Sequence, residues 1–395
     1  MFSIYRVQSA TTLYETALLE TSLDMKQCCF GVRKKPRQEL GSFSHVKNIR
    51  LFSYNELRSA TGNFHSSNRI GRGGFGIVYK GALRNGTPIA AKVLSAESRQ
   101  GVNEFLTEID VITNVKHPNL VELLGCCVQE SNRILVYEYV ENNSLDHALL
   151  GPRSRPADLN WDIRSAICLG AARGLSYLHE GVEPHIVHRD IKASNILLDK
   201  SFLPKIGDFG LAKLFPDNVT HISTRVAGTS GYLAPEYAVQ GQLTSKADVY
   251  SFGVLLLEII SARSSSKAAW SVKEKYLLEW TWQLFEEERL KEIIDPELKE
   301  YPEEQVIRYI KVALFCTQGA AARRPTMSQV VEMLSKPIRL NEKELTPPGL
   351  LLDSRRTGRG FQLKKLDSDN KDSSTMMTTL PFSSTSVTFS EMGPR

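Results

Sequence analysis

The stretch "SKADVYSFGVLLLEIIS", residues 245–261, is apolar on nearly every side of the helix that its spacing predicts. A helix without a polar face must be enclosed by other elements, so it implies a sizeable helical core. A second stretch sets the opposite demand. "HRDIKASN", residues 188–195, packs four ionisable side chains and an Asn between apolar "IV" and "ILL". Charge held between two buried segments is costly unless it is paired or faces a cleft.

The 395 residues are 42% hydrophobic and 24% charged, an ordinary globular balance that suits two or three domains or one bilobal unit with tails. The net charge is +5, and residues 1–50 supply +4 of it, with eight Lys/Arg against four Asp/Glu. The remainder is close to neutral, which argues against a nucleic-acid-binding body. Six cysteines form no C-x-x-C pair, so neither a zinc site nor a disulfide framework is indicated. No run of about 18 apolar residues predicts a membrane span, and the first twenty residues lack the pattern of a signal peptide.

Residues 1–50 are basic and irregular, and 51–63 predict a short helix. Residues 64–336 are densely patterned, while 337–395 become rich in Ser and Thr and are expected to be disordered. "IVYKGAL", "PIAAKVLS", "NLVELLGCCV" and "RILVYEYV" predict strands. "GVNEFLTEIDVITNV" predicts a helix with Val102, Phe105, Ile109, Ile112 and Val115 on one side. After Asn143 the pattern turns helical, and residues 160–180 carry Asn160 as a cap with Gly181 just past the end. The fold class expected is α+β: a small antiparallel sheet lobe with one main helix, 64–140, before a larger helical lobe, 141–336.

"GRGGFGIVYKG" places Gly71, Gly73 and Gly76 in a G-x-G-x-x-G loop, with Val78 following. Glycines let backbone N–H groups approach phosphates closely. A dinucleotide-binding turn would lead into a helix, whereas here a strand follows and Lys92 is the next notable residue. Lys92 lies in the apolar strand "IAAKVL", which alone would suit a solvent-facing edge lysine. Glu108 falls at the edge of the apolar side of its helix, between Val115 and Ile112, where a carboxylate needs a partner. Lys92 is the evident one.

"VHRDIKASNILL" is followed by "DFG" at 208–210, "GTSGYLAPE" at 228–236 and "DVYSFG" at 248–253. In this order and spacing the chain resembles a eukaryotic protein kinase over residues 64–336. "ATGNF", "HPNLVELLGCC" and "GYLAPEYA" are similar to the plant receptor-like kinases of the Pelle group, and within it to the cytoplasmic cold-responsive kinases. The resemblance implies ATP as the phosphate donor, Mg²⁺ (or Mn²⁺) as the metal and protein Ser/Thr hydroxyls as acceptors. Asp190 would take the substrate proton, and Lys192 would reach the transferring phosphate. Asn195 and Asp208 would ligate the metal. Lys92, oriented by Glu108, would hold the inner phosphates under Gly71, Gly73 and Gly76. Adenine would meet the backbone of Glu138 and Val140, with Tyr137 behind it and Val78, Ala90 and Leu197 around the ring. Lys192 and Thr229 match the Ser/Thr pattern rather than the Ala/Arg arrangement of tyrosine kinases. An inactive scaffold is disfavoured by the intact set, and a small-molecule kinase by "GTSGYLAPE", which resembles a peptide-positioning loop.

Several residues have structural readings. Asp248 fits a capping box with Ser245, and the resemblance has it hold the catalytic loop's backbone; the two readings are compatible. Glu236 and Arg324 are expected to form a buried ion pair. Cys126, Cys127 and Cys168 are expected as core thiols, and His188 as packing. In the family that the chain resembles, such an Arg beside Asp190 pairs with a phosphorylated loop residue, so the resemblance implies control through Arg189, with Thr224 expected first, Ser223 second and Lys213 assisting. Cys28 and Cys29 stand beside five basic residues and no acid over 26–37, which suggests palmitoylation with a polybasic patch. The expected location is the cytoplasm, with peripheral contact at the inner face of the plasma membrane. An upstream receptor kinase is the expected activator.

Overall fold

The computed structural model describes residues 49–352, except 74–75, 95–98, 114, 130, 152–158, 217–218 and 266–275, together with 362–364 and 388–389. Two hydrophobic clusters organise the chain, one in a small sheet lobe and one in a larger helical lobe, as expected for a bilobal α+β fold.

The small lobe is one sheet of β1 (Arg50–Leu51), β2 (Arg69–Gly73), β3 (Gly76–Ala82), β4 (Pro88–Leu94), β5 (Leu123–Gln129) and β6 (Asn132–Glu138). Its order is β1-β5-β6-β4-β3-β2. All neighbours are antiparallel except β1, which runs parallel to β5. Alternation along β4 buries Ile89 and Ala91 in the small cluster, so Ala90 and Lys92 project from the other face. Helix α2 (Arg99–Ile112) buries Phe105, Glu108, Ile109 and Ile112, the side that the sequence pattern marked.

Helix α1 (Tyr54–Ala60) is shorter than the expected 51–63, and it belongs to the small lobe rather than preceding it. Ser53 caps it, its side chain accepting the Glu56 N–H at 3.1 Å. Phe52 and Leu57 complete the small cluster. Strand β5 admits this extension because residue 125 is glycine: a Cβ there would lie 2.2 Å from the Arg50 carbonyl oxygen. The sheet lobe therefore begins at Arg50, inside the segment expected to be irregular.

The helical lobe contains α3 (Leu145–Leu150), α4 (Trp161–Glu180), α5 (Pro235–Gln240), α6 (Ser245–Ser261), α7 (Leu277–Glu286), α8 (Glu303–Cys316) and α9 (Met327–Ser335). Short strands β7 (His185–Val187), β8 (Ile196–Leu198), β9 (Pro204–Ile206), β10 (Lys213–Phe215), β11 (Ile222–Ser223) and β12 (Gln242–Leu243) lie between α4 and α6. Asn160 caps α4 through the Ile163 N–H at 3.1 Å, and Gly181 ends it. Every residue of α6 from Ala247 to Ser261 is buried. The cap of α6 is Thr244, which accepts from Lys246 N–H at 3.2 Å, so Asp248 is released from the capping role. Cys126, Cys127 and Cys168 are buried, and desolvation raises all three thiols above their usual range.

The expected disorder from residue 337 is corrected for 337–352, and 362–364 and 388–389 lie in strands, while the remaining tail residues lie outside the described residues. Leu340 and Leu345 pack on the helical core, and Pro348 and Gly349 are buried. The physical reason is that the apolar supply runs on past Pro337, and the Ser/Thr-rich composition starts only near 367.

Because Leu57 is fully buried in a small cluster, Leu57→Ala should destabilise the chain by about 2–5 kcal/mol, read from denaturant unfolding. A loss under about 0.5 kcal/mol, the level of an ordinary surface change, would place residues 50–63 outside the folded lobe.

Candidate active site

The charged stretch 188–195 lies between β7 and β8, which are tied to β10 and β9 respectively. Its geometry starts from Asp248, fully buried near the start of α6. The carboxylate accepts the N–H groups of His188 at 2.7 Å and Arg189 at 2.8 Å, and His179 Nε2 lies 2.9 Å away. Desolvation alone would raise this carboxyl, but the bonds from His179 and the loop hold it below the usual range. Arg189 sits at φ +70° and Asp208 at φ +64°, left-handed conformations that a side chain makes costly. For Arg189, the bonds to Asp248 sustain that turn. His188 packs, as expected: its ring is edge-on to Phe209 at 4.9 Å. Its Nδ1 accepts the Asp190 N–H at 3.3 Å, so Nε2 carries the proton and donates to Gly207 O at 3.1 Å.

Asp190 is buried at the centre of a polar cluster. It accepts from Thr229 Oγ1 at 2.6 Å, Lys192 Nζ at 2.8 Å and Asn195 Nδ2 at 3.1 Å. Lys192 also donates to Thr229 at 2.8 Å. Asn195 spends its amide nitrogen on Asp190, leaving Oδ1 as the atom able to meet a cation. Asn195 Oδ1 and the Asp208 carboxylate are hard oxygen donors of the kind that Mg²⁺ or Mn²⁺ takes.

Lys92 joins the two lobes. Its ammonium contacts Glu108 at 2.5 Å and Asp208 at 2.8 Å. Burial opposes its charge, yet the two carboxylates outweigh this and hold the lysine above its usual range. Desolvation opposes the charge on Asp208, but Lys92 holds that carboxyl at about 2. Glu108 is fully buried, which favours its neutral form, and Lys92 counters it. Its second oxygen accepts the Tyr137 hydroxyl, a contact that the sequence reading missed.

In the glycine loop, Gly71 pairs with Val78 and Gly73 with Gly76 across the β2–β3 hairpin. Val78 stands opposite Lys92, and Ala90 opposite Tyr137. Glu138 Oε1 accepts from Lys205 at 2.8 Å and from the Glu122 N–H at 2.9 Å, and the Glu138 N–H donates to Glu122 O at 3.1 Å. Val140 is buried after β6, and Leu197 is half-buried in β8.

Arg189 donates to Leu211 O at 3.0 Å, Arg225 O at 2.8 Å and the Tyr237 hydroxyl at 2.6 Å. Tyr237 was not singled out in the sequence, and it also accepts the Ala227 N–H at 3.0 Å. Lys213 is lowered by desolvation and by Arg189, which puts two cations near one another. Ser223 is exposed in β11, and Thr224 is half-buried with its N–H on Gly241 O at 3.1 Å. The expected Glu236–Arg324 pair is present and bidentate, at 2.7 and 2.8 Å. Cys28 and Cys29 lie outside the described residues.

One carboxyl has no use in this network. Glu104, one turn before Glu108 on α2, is buried, and its Oε1 has no hydrogen-bond partner. Burial pushes it up to about 8, with Lys92 opposing and neighbouring carboxylates adding to the rise. A raised carboxyl means that the unfolded chain ionises first, so the native state loses stability as pH rises from about 4.5 through 8. Glu104→Gln should therefore gain thermal midpoint over the parent progressively between about pH 5 and pH 8. A difference that stays flat with pH would contradict this account.

Residues 64–334 match the protein tyrosine and serine/threonine kinase family. Cold-responsive protein kinase 1 of Arabidopsis thaliana is 53% identical over 324 residues, covering 81% of this chain and 83% of that one. Two probable LRR receptor-like serine/threonine-protein kinases of Arabidopsis thaliana are 52% and 54% identical, covering 80% and 77% of this chain. The chain spans only 31% and 29% of those two receptors. No helix among the described residues is long and apolar enough to cross a membrane. With its paired Lys92 and Glu108, its Asp190 cluster and these relatives, the chain belongs to the eukaryotic protein kinases, alongside the plant receptor-like serine/threonine kinases.

Proposed function

We propose that this chain transfers the γ-phosphate of metal-bound ATP to Ser and Thr hydroxyls of proteins in plant signalling. The observation that carries the reading is the Asp190–Lys192–Thr229 cluster. Asp190, fixed by three donors, keeps a carboxylate in place to orient the acceptor hydroxyl and receive its proton. Lys192 neutralises charge on the transferring group. Asn195 Oδ1 and Asp208 would hold the divalent cation, Mg²⁺ or Mn²⁺, which would supply charge neutralisation for the transferred group. Lys92, locked by Glu108, holds the inner phosphates beneath the Gly71, Gly73 and Gly76 hairpin. The backbone of Glu138 and Val140 meets the adenine, and Val78, Ala90, Tyr137 and Leu197 enclose it.

Regulation by loop phosphorylation rests on the same site. Arg189 reaches the carbonyl of Arg225, next to Thr224, and its guanidinium donors meet only neutral acceptors among the described residues. A phosphate on Thr224, or second on Ser223, gains a strong ligand in Arg189, with Lys213 assisting. The activator is an upstream receptor kinase. The chain works in the cytoplasm, held at the plasma membrane by acyl groups on Cys28 and Cys29 together with the basic residues of 26–37.

Asp190→Asn should lower phosphate transfer from ATP to a generic protein by about 10²–10⁴-fold; equal transfer by both forms would leave a nucleotide-binding scaffold instead. Thr224→Ala should cut activity after treatment with an activating kinase, measured against the same protein before treatment. Unchanged stimulation would remove Thr224 from the scheme. A fluorescent fusion with Cys28→Ser and Cys29→Ser should leave the membrane fraction, and retention there would refute the acyl anchor.

A further inference from the structure

Residues 345–349 lie beyond the family match, which ends at 334, yet they close onto buried groups of the helical lobe. Gln318 is almost fully buried just after α8. Its Oε1 accepts both the backbone N–H of Thr346 at 3.2 Å and the Thr346 hydroxyl at 3.0 Å, while its Nε2 donates to Arg323 O at 2.9 Å. Gly319 N–H donates to Pro347 O at 3.3 Å. The Tyr250 hydroxyl, buried in α6, donates to Gly349 O at 2.7 Å. Buried donors and acceptors left unpaired are costly, so these groups are built to receive the strap.

The strap reaches toward the site through a continuous set of contacts. Gly349 packs so closely on α5 that a Cβ would lie 2.5 Å from Pro235 Cγ. Pro235 opens the helix that carries Glu236 and Tyr237. Glu236 is clamped by Arg324, whose guanidinium lies 5.0 Å from the centre of the Tyr250 ring and whose Nε donates to Gln318 O at 2.8 Å. Tyr237 holds Ala227 N–H and Arg189. Two residues past Ala227 stands Thr229, bonded to Asp190.

We infer that residues 345–349 are a positioning strap for the segment 227–233, the stretch that presents a peptide acceptor to Asp190. The strap seats α5 from behind, and α5 sets the substrate-facing segment through Tyr237. Its effect therefore falls on protein substrate and spares the nucleotide, whose proposed ligands lie on β2, β3, β4, α2, β6, β8 and the loops at Val140, 190–195 and Asp208. The peptide-facing role of 227–233 rests on the function proposed above, so the test separates the two.

In the full chain, Gly349→Ala forces the strap and Pro235 apart, and Thr346→Val removes one donor to Gln318 with little change in volume. Each is compared with Lys343→Ala, at an exposed position two residues before the strap. The readouts are amide hydrogen exchange over 222–241, the KM for a peptide substrate and the KM for ATP. Gly349→Ala should speed exchange across 222–241 and raise the peptide KM several-fold, with the ATP KM unchanged. Thr346→Val should do the same more weakly, and Lys343→Ala should do neither. Faster exchange with an unchanged peptide KM would uphold the strap and overturn the peptide-facing role of 227–233. Unchanged exchange in both strap variants would overturn the strap, whatever happens to KM. If Gly349→Ala does not fold, Thr346→Val alone decides by the same readouts.

Discussion

One buried carboxylate fixes the reacting centre. Asp248 takes two consecutive backbone N–H groups from the loop at His188 and Arg189 and contacts His179, and its own helix is enclosed on all sides. A carboxylate so placed converts the rigidity of a large core into the rigidity of a short loop. The left-handed turn at Arg189 is affordable only because both of those N–H groups are satisfied there. Asp190, Lys192 and Asn195 then leave the loop in fixed directions, and their mutual bonds add little freedom.

Charge within the cleft is arranged by unequal burial. Lys92 receives two carboxylates, one fully buried and one half-exposed. The buried one, Glu108, belongs to α2 and is held also by Tyr137, so the position of α2 is set by a fixed ion pair. The half-exposed one, Asp208, keeps surface that a cation can use. Glu104 shows the contrary case, a carboxyl taken out of water whose Oε1 meets no hydrogen-bond partner among the described residues, and burial pushes it up to about 8.

Elements with strong internal periodicity were legible in the sequence. The bounds of α4 and α6, the caps at Asn160 and Gly181, and the pairing of Lys92 with Glu108 follow from spacing and from the cost of burying charge. The cap of α6 was misassigned by one residue, because Thr244 and Ser245 offer the same chemistry and only the backbone decides between them. Contacts between distant segments left no periodic signal. Phe52 and Leu57 look like one turn of an amphipathic helix, and nothing local shows that β5 has a glycine ready for them. The tyrosine hydroxyls at 137 and 237 are equally silent, since a tyrosine in an apolar strand or short helix reads as packing until its partner is known. The segment after Pro337 was misjudged because a Ser/Thr-rich average over 337–395 hides an apolar beginning.

The bond between Tyr137 and Glu108 has a consequence for molecules other than the substrate. A large side chain tied across the rear of the cleft closes the space between β6 and α2. An inhibitor that stops at the backbone of Glu138 and Val140, proposed to meet the adenine, leaves that tie intact. One that reaches past Tyr137 must take the hydroxyl from Glu108 and so loosen the hold on Lys92. Compounds of the second kind would select a displaced α2, and their affinity would report how readily this lobe gives way.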